Sequence, residues 1–398
     1  EYNVAVGNYS LDAVTSGDEN IAVGHNAGTA HTTAGNNIYL GTEAGAAVTT
    51  GGNNILIGHR AGDAFDTEVN NLALGNNALG GAVAGGEYNV AIGNNSLDAL
   101  TSGDYNVALG YEAGTGLTTG TENTFLGNGA AYSITTGSYN TIVGSRAGNG
   151  YDAESHNLAM GYDALGGAVA GGEYNVALGN YALDALTTAD NCVAVGYNAG
   201  GATTTGGENT YIGYNAGNLN VDGTQNTIIG NNSNATATDG AEAQGLGADL
   251  ACEGGYTTVG RGTNDIRAAN GTATWATASD ERFKKNIETS NAGLSIINDL
   301  RPVTFNWRTK GEIPEWSKAY EENSTEQFRN ATHNHGFIAQ EVKAVIESHT
   351  ELKDGFSMWD EKSDGQQEVG ETAIVPILVK AVQELSAEVK ALKQKIGE

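Results

Sequence analysis

The sequence predicts a mainly β chain: a parallel β-solenoid or β-roll of fourteen repeats of about 17 residues, then a smaller α/β domain. Three observations carry that prediction. A motif recurs at fixed period, which is the signature of a repeat architecture. Each copy holds a short alternating apolar segment with the spacing of a strand. Near residue 279 the composition changes abruptly.

The motif is Asn-φ-x-φ-Gly-x-x-small, where φ is Val, Ile, Leu, Met or Thr, and its glycines run from Gly7, Gly24 and Gly41 to Gly213 and Gly230. The step is 17 residues except from Gly75 to Gly93 and from Gly161 to Gly179, where it is 18. Both exceptions contain GGAVAGG, at 80–86 and 166–172, so a superperiod of 86 residues overlies the repeat. The two φ residues before each glycine read as a strand with that face buried. The residue between them is usually Ala but becomes Tyr39, Leu56, Phe125, Ile142, Tyr211 and Ile228 in the third and fourth repeats of each superperiod. The second face is therefore apolar too, and a strand apolar on both faces needs a neighbour beyond its own coil. The Asn before the strand is replaced once, by Cys192, and Asn stacked in register can hydrogen-bond along a ladder. Fourteen coils at the inter-strand spacing give a rod of roughly 65 Å.

The repeat region spans 1–235. Residues 236–278 read as a transition segment that leaves the register, with Tyr256–Gly260 as a stray repeat strand. In the same segment, Asp265–Arg267 and Thr272–Trp275 read as strands around an Asn270-Gly271 turn. Residues 279–398 form the last domain. Lysine and proline occur only there, and Val375, Leu378, Val382, Leu385, Val389, Leu392 and Ile396 make an a/d seam that predicts a coiled-coil helix.

Composition narrows the function. A formal charge of −28 repels phosphate backbones and argues against nucleic-acid binding. Cys192 and Cys252 have no CxxC spacing, and His333 and His335 lack a third ligand at useful spacing, so neither a disulfide framework nor a metal site is expected. No cofactor motif occurs, and no apolar run approaches the ~18 residues of a membrane span. The chain opens without Met inside a repeat, which reads as a piece of a longer protein.

Two resemblances sharpen the reading. The Asn-Val-Ala-Val-Gly-x-x-Ala unit resembles the head repeats of trimeric autotransporter adhesins and repeats of phage tail fibres. SDERFKKNI (279–287), LRPVTFNWR (300–308), HGFIAQEV (335–342) and IVPILVKAVQEL (374–385) together resemble the intramolecular chaperone domain of phage tail spikes and fibres, the S74 peptidase family. That resemblance implies a homotrimeric tail fibre segment in the virion, joined upstream to a fibre or tail attachment region and touching a host cell-surface receptor. It also implies a domain that assists folding and then cuts itself off with a Ser-Lys dyad. By motif, Ser279 is the nucleophile, Lys284 the base, and the cut falls between Ala278 and Ser279. The chemistry is coherent: a serine hydroxyl needs a base, and lysine serves only when neutral, through burial or cationic neighbours such as Arg282 and Lys285. Alternative expectations are a trimeric surface adhesin or ice-binding repeat protein that uses the same trimerisation domain, and a polysaccharide-cleaving tailspike.

Overall fold

The computed structural model describes the whole chain except residues 82–84, 168–170, 272–280, 282–283, 318, 330–331, 353–355, 357, 362–364 and 397–398. It divides into two compact units, Glu1–Ala278 and Ser279–Glu398.

In the first unit, fourteen three-residue strands run from β1 (Val4–Val6) and β2 (Ile21–Val23) to β14 (Thr227–Ile229), one per repeat. Each pairs in parallel with the next, so Ala5 lies on Ala22, Ala22 on Tyr39 and Tyr39 on Leu56. The strand's inner face is the opposite of the one expected. Its middle residue points into the coil and is buried in every strand after β1, whereas the flanking φ residues face outward. The interior of a 17-residue coil is narrow, so it admits Ala, or one larger side chain where neighbouring coils make room.

That room is made by glycine and leucine four residues after the repeat glycine. Tyr39 lies between Gly28 and Gly45, and a Cβ at Gly45 would fall 2.5 Å from its ring. Where the middle residue is Ala, as in the repeats of Gly75, Gly93 and Gly179, the equivalent sites are Leu79, Leu97 and Leu183, all fully buried. Complementary volumes keep the core close-packed and account for the superperiod. The repeat glycines themselves have φ between +134° and +147°. A Cβ at Gly24 would sit 2.2 Å from the Gly41 carbonyl oxygen, so no larger residue fits.

The asparagines form the expected ladder. Each side-chain carbonyl accepts the backbone N–H of its counterpart one coil on, as from Asn106 to Asn89 (2.9 Å) and Asn123 to Asn106 (3.0 Å). Each side-chain NH₂ donates to a carbonyl in the following turn, such as Gly120 or Gly137 at 2.9 Å. These amides are buried, and full pairing is what makes their burial tolerable. The GGAVAGG insertions are anchored by Glu68 and Glu154, also buried: their carboxylates accept the N–H of Gly85 (2.8 Å) and Gly171 (2.7 Å).

The solenoid does not lose register at residue 236. After β15 (Asn234–Ala235), strand β16 (Gln244–Ala248) pairs with β14 at the regular step, Thr227 on Gln244. This fifteenth coil escaped the motif because Ala243 stands at the Asn position and Gly245 at the strand centre. Strand β17 (Ala251–Cys252) pairs with β15, and β18 (Tyr256–Arg261), the stray strand, continues the ladder in parallel on β16. The chain then turns at Gly262 and β19 (Asn264–Ala269) runs back antiparallel on β18. A hairpin thus also turns before Asp265, and Asn270 and Gly271 stand in a turn after β19. The expected strand at Thr272–Trp275 lies outside the described residues.

The second unit is α/β. Helix α1 (Leu294–Asp299) leads to β20 (Val303–Phe305), which pairs antiparallel with β21 (Asn334–Gly336). Helix α2 (Ala339–Ser348), the hairpin of β22 (Trp359–Glu361) and β23 (Gln367–Val369), and helix α3 (Val375–Ile396) follow. Its small core joins Ile296, Leu300, Val342, Leu352, Met358 and Ile377.

Candidate functional site

The dyad expected from sequence is only partly visible. Ala278, Ser279 and Arg282 lie outside the described residues, so no Ser279–Lys284 geometry is given. Lys284 and Lys285 are exposed in the single chain, and the Lys284 backbone N–H donates to the Glu281 carbonyl at 2.9 Å.

The motifs downstream of the dyad do come together. LRPVTFNWR supplies β20 and HGFIAQEV supplies β21 and the start of α2, with Thr304 opposite His335. Arg301 of the first motif forms an ion pair with Glu341 of the second, Nε to Oε2 at 3.0 Å. That guanidinium holds the Glu341 carboxyl below the usual range. Residues 279–351 match the family model for the chaperone of endosialidase, Peptidase S74. The match begins at the expected nucleophile and ends before IVPILVKAVQEL, so the last of the four quoted motifs lies beyond it. No curated protein and no solved structure matches the chain.

Within the matched segment, His349 ties α1 to the turn after α2. Its Nε2 meets Asp299 at 2.8 Å and its Nδ1 meets Glu351 at 3.0 Å, and these two carboxylates raise its pKa. Sequence reasoning missed this bridge because its members are 50 residues apart. It also missed a cleft of about 670 Å³ beside β20 and β21. There Trp307 packs edge-on against Phe305 and Phe328, with the Arg329 guanidinium 4.8 Å from the Trp307 ring centre. His335 lines this cleft, and His333 Nδ1 bonds Asn306 at 3.0 Å. Among the described residues no cluster of metal-ligating side chains occurs.

Helix α3 presents a second candidate surface. Ile377 and Ala381 are buried, and Glu384 accepts the Leu294 N–H at 2.8 Å, supplying an acceptor at the start of α1, where no side-chain cap is present. The a/d seam faces elsewhere: Val382, Leu385, Val389 and Leu392 are all exposed, Val382 at 64%. In the second unit, then, the face of α3 that packs on its own domain is not the heptad face.

The third is the outward strip of the solenoid. None of the outward strand positions from Val4 to Ile229 is charged, although the chain carries a net −28. Ile21, Leu40, Ile55, Leu74, Leu109, Leu126 and Met160 are each more than a third exposed there. The threonine column lies elsewhere on the coil, and its hydroxyls are used internally. Thr32, Thr101 and Thr118 donate to the carbonyls of Thr49, Thr118 and Thr135 at 2.8–2.9 Å.

Proposed function

We propose that the chain is a segment of a phage tail fibre, acting in the virion as a shaft or as the region that contacts a host cell-surface receptor. Three copies would bury their outward strips on a common axis. The C-terminal domain would trimerise through α3, assist folding of the solenoid and release itself between Ala278 and Ser279. The observation that carries this reading is the combination in one chain of an uncharged, mainly apolar strip along the fourteen repeats and a following segment that matches the chaperone of endosialidase. Copies of like net charge approach most readily through a face that bears none. An apolar strip of this length is otherwise an aggregation hazard. The exposed heptad seam of α3 supports association between copies from the other unit.

In the proposed reaction Lys284, as the free amine, takes the proton from the Ser279 hydroxyl while Oγ attacks the Ala278 carbonyl carbon. The C–N bond breaks, its nitrogen gains a proton and becomes the Ser279 amino group, and water hydrolyses the resulting ester. A lysine takes that proton only as the neutral amine. Burial on assembly would favour the neutral amine and make the cut wait for folding. The ice-binding alternative is weakened because the threonine hydroxyls donate along the ladder rather than outward.

Denaturing electrophoresis of the expressed chain tests the dyad. Wild type should give two fragments, ending at Ala278 and starting at Ser279, while Ser279→Ala and Lys284→Ala each stay whole. A variant that cuts as fully as wild type refutes the assignment.

A further inference from the structure

At one corner, the two positions after the repeat glycine, Tyr162, Tyr181, Tyr197 and Tyr214 stand on four successive coils. Eighty-six residues earlier the matching sites hold Asn76, Asn95, Tyr111 and Asn128, so three of the four differ. Internal repeats this faithful make a local departure informative. Tyr181 stands nearly perpendicular to Tyr162 (76°) and to Tyr197 (77°), with centroids 5.5 and 5.7 Å away. Tyr197 and Tyr214 are stacked (12°, centroids 5.3 Å apart), as are the Tyr139–His156–Tyr174 column (19° and 17°) and the Tyr88–Tyr105 pair (8°); the corner is set apart by its perpendicular Tyr181 and by the amides beside it.

Beside these rings runs an amide ladder. Asn198 Nδ2 donates to Asn215 Oδ1 at 3.0 Å, and Asn215 Nδ2 donates to Asn232 Oδ1 at 3.2 Å. An Asn amide has two N–H donors and two lone pairs, so each rung keeps one donor and one acceptor for a ligand. From Tyr162 to Tyr214 is three coil steps, roughly 14 Å at the inter-strand spacing. The charge around the corner is negative. Arg146 approaches the Tyr162 ring at 6.0 Å but is paired with Asp163 at 3.1 Å, and Asp163 and Asp184 both act electrostatically on Tyr181.

From the aromatic column, the parallel amide ladder and the acidic side chains beside them we infer a binding site for a linear, uncharged polysaccharide. The sugar C–H faces pack on the tyrosines and the hydroxyls exchange hydrogen bonds with the Asn198 and Asn215 amides. An anionic glycan meets Asp163 and Asp184, and the neighbouring Arg146 is already paired with Asp163. The site rests on the reading of the solenoid as a surface-contact region, and it gives that region a location and a ligand class.

Affinity electrophoresis of the full chain through native gels containing dextran, mannan, galactomannan or polygalacturonate tests it. At least one neutral polymer should slow wild type, and Tyr197→Ala with Tyr214→Ala should reduce the retardation by tenfold or more. Tyr88→Ala with Tyr105→Ala, on a column outside the Asn198–Asn215 ladder, should leave it unchanged. Migration unaffected by every neutral polymer, retardation by polygalacturonate alone, or retardation equally lost in both double variants overturns the inference. The assembly mass and cleavage pattern, read on the same preparations, report on the fibre reading separately. A trimeric, self-cut chain that is not retarded refutes the glycan site alone, and a retarded monomer that stays uncut refutes the fibre reading alone.

Discussion

Tyr39 shows how single residues let this narrow core hold polar atoms. Its hydroxyl is buried and bonds His31 Nδ1 at 3.2 Å, while His31 Nε2 bonds the Ala34 carbonyl at 2.8 Å. The imidazole therefore fits as the neutral tautomer with its proton on Nε2, and burial lowers its pKa from the ordinary 6.5. Eighty-six residues on, Leu117 and Phe125 occupy the same sites, so hydroxyl and partner are absent together. Because the folded pKa lies below the unfolded one, the unfolded chain binds the extra proton first. Stability is full above the ordinary value and falls as pH drops from about 6.5 through the depressed folded pKa. Denaturant midpoints at pH 7 and pH 5 should show this loss in wild type and a smaller one in His31→Leu. At pH 7, His31→Leu should destabilise by about 1–3 kcal/mol through the orphaned phenol, and adding Tyr39→Phe should recover most of it. Equal pH dependence in wild type and His31→Leu would remove the imidazole from the account. The pairing was not legible in the sequence, because eight positions separate the two residues and only the coil's curvature brings them together.

At the scale of the element, the asparagine ladder has one weak rung. Cys192 N–H donates to Asn175 Oδ1 at 2.9 Å, but the next coil's Asn209 N–H faces a thiol sulfur where every other rung offers an amide oxygen. Sulfur is a weak acceptor. Cys192→Asn should complete the ladder and raise stability by about 0.5–1.5 kcal/mol, read from the denaturant midpoint. No gain, or a loss, would mean that the pocket has adjusted to the thiol. The ladder itself was legible, since Asn recurs at one phase of each of the fourteen motif repeats but this one. The strand's inner face was not. Period-2 alternation shows that two faces differ but not which is interior, and here the narrow coil reverses the usual reading by taking the small residue inward. The fifteenth coil was hidden for a similar reason: Gln244–Ala248 keeps the backbone register without the side chains that mark it. In the second unit the heptad seam of α3 was legible, while its packing against α1 through Ile377, Ala381 and Glu384 depends on contacts up to 90 residues apart.

At the scale of the whole molecule, both units leave apolar surfaces uncovered in a single chain. The solenoid exposes its strip at Ile21, Leu40, Ile55, Leu74, Leu109 and Met160, and α3 exposes Val382, Leu385, Val389 and Leu392. A lone chain would keep all of this in water, at about 25 cal/mol for each Å² left unburied. The proposed threefold assembly would cover such surfaces and would give Lys284 the drier surroundings that its proposed chemistry needs. The most direct test is the native mass of the full-length Ser279→Ala chain, which keeps both units joined. The account predicts a single species of three chains. A species of one chain, folded and soluble with its strip exposed, would contradict it.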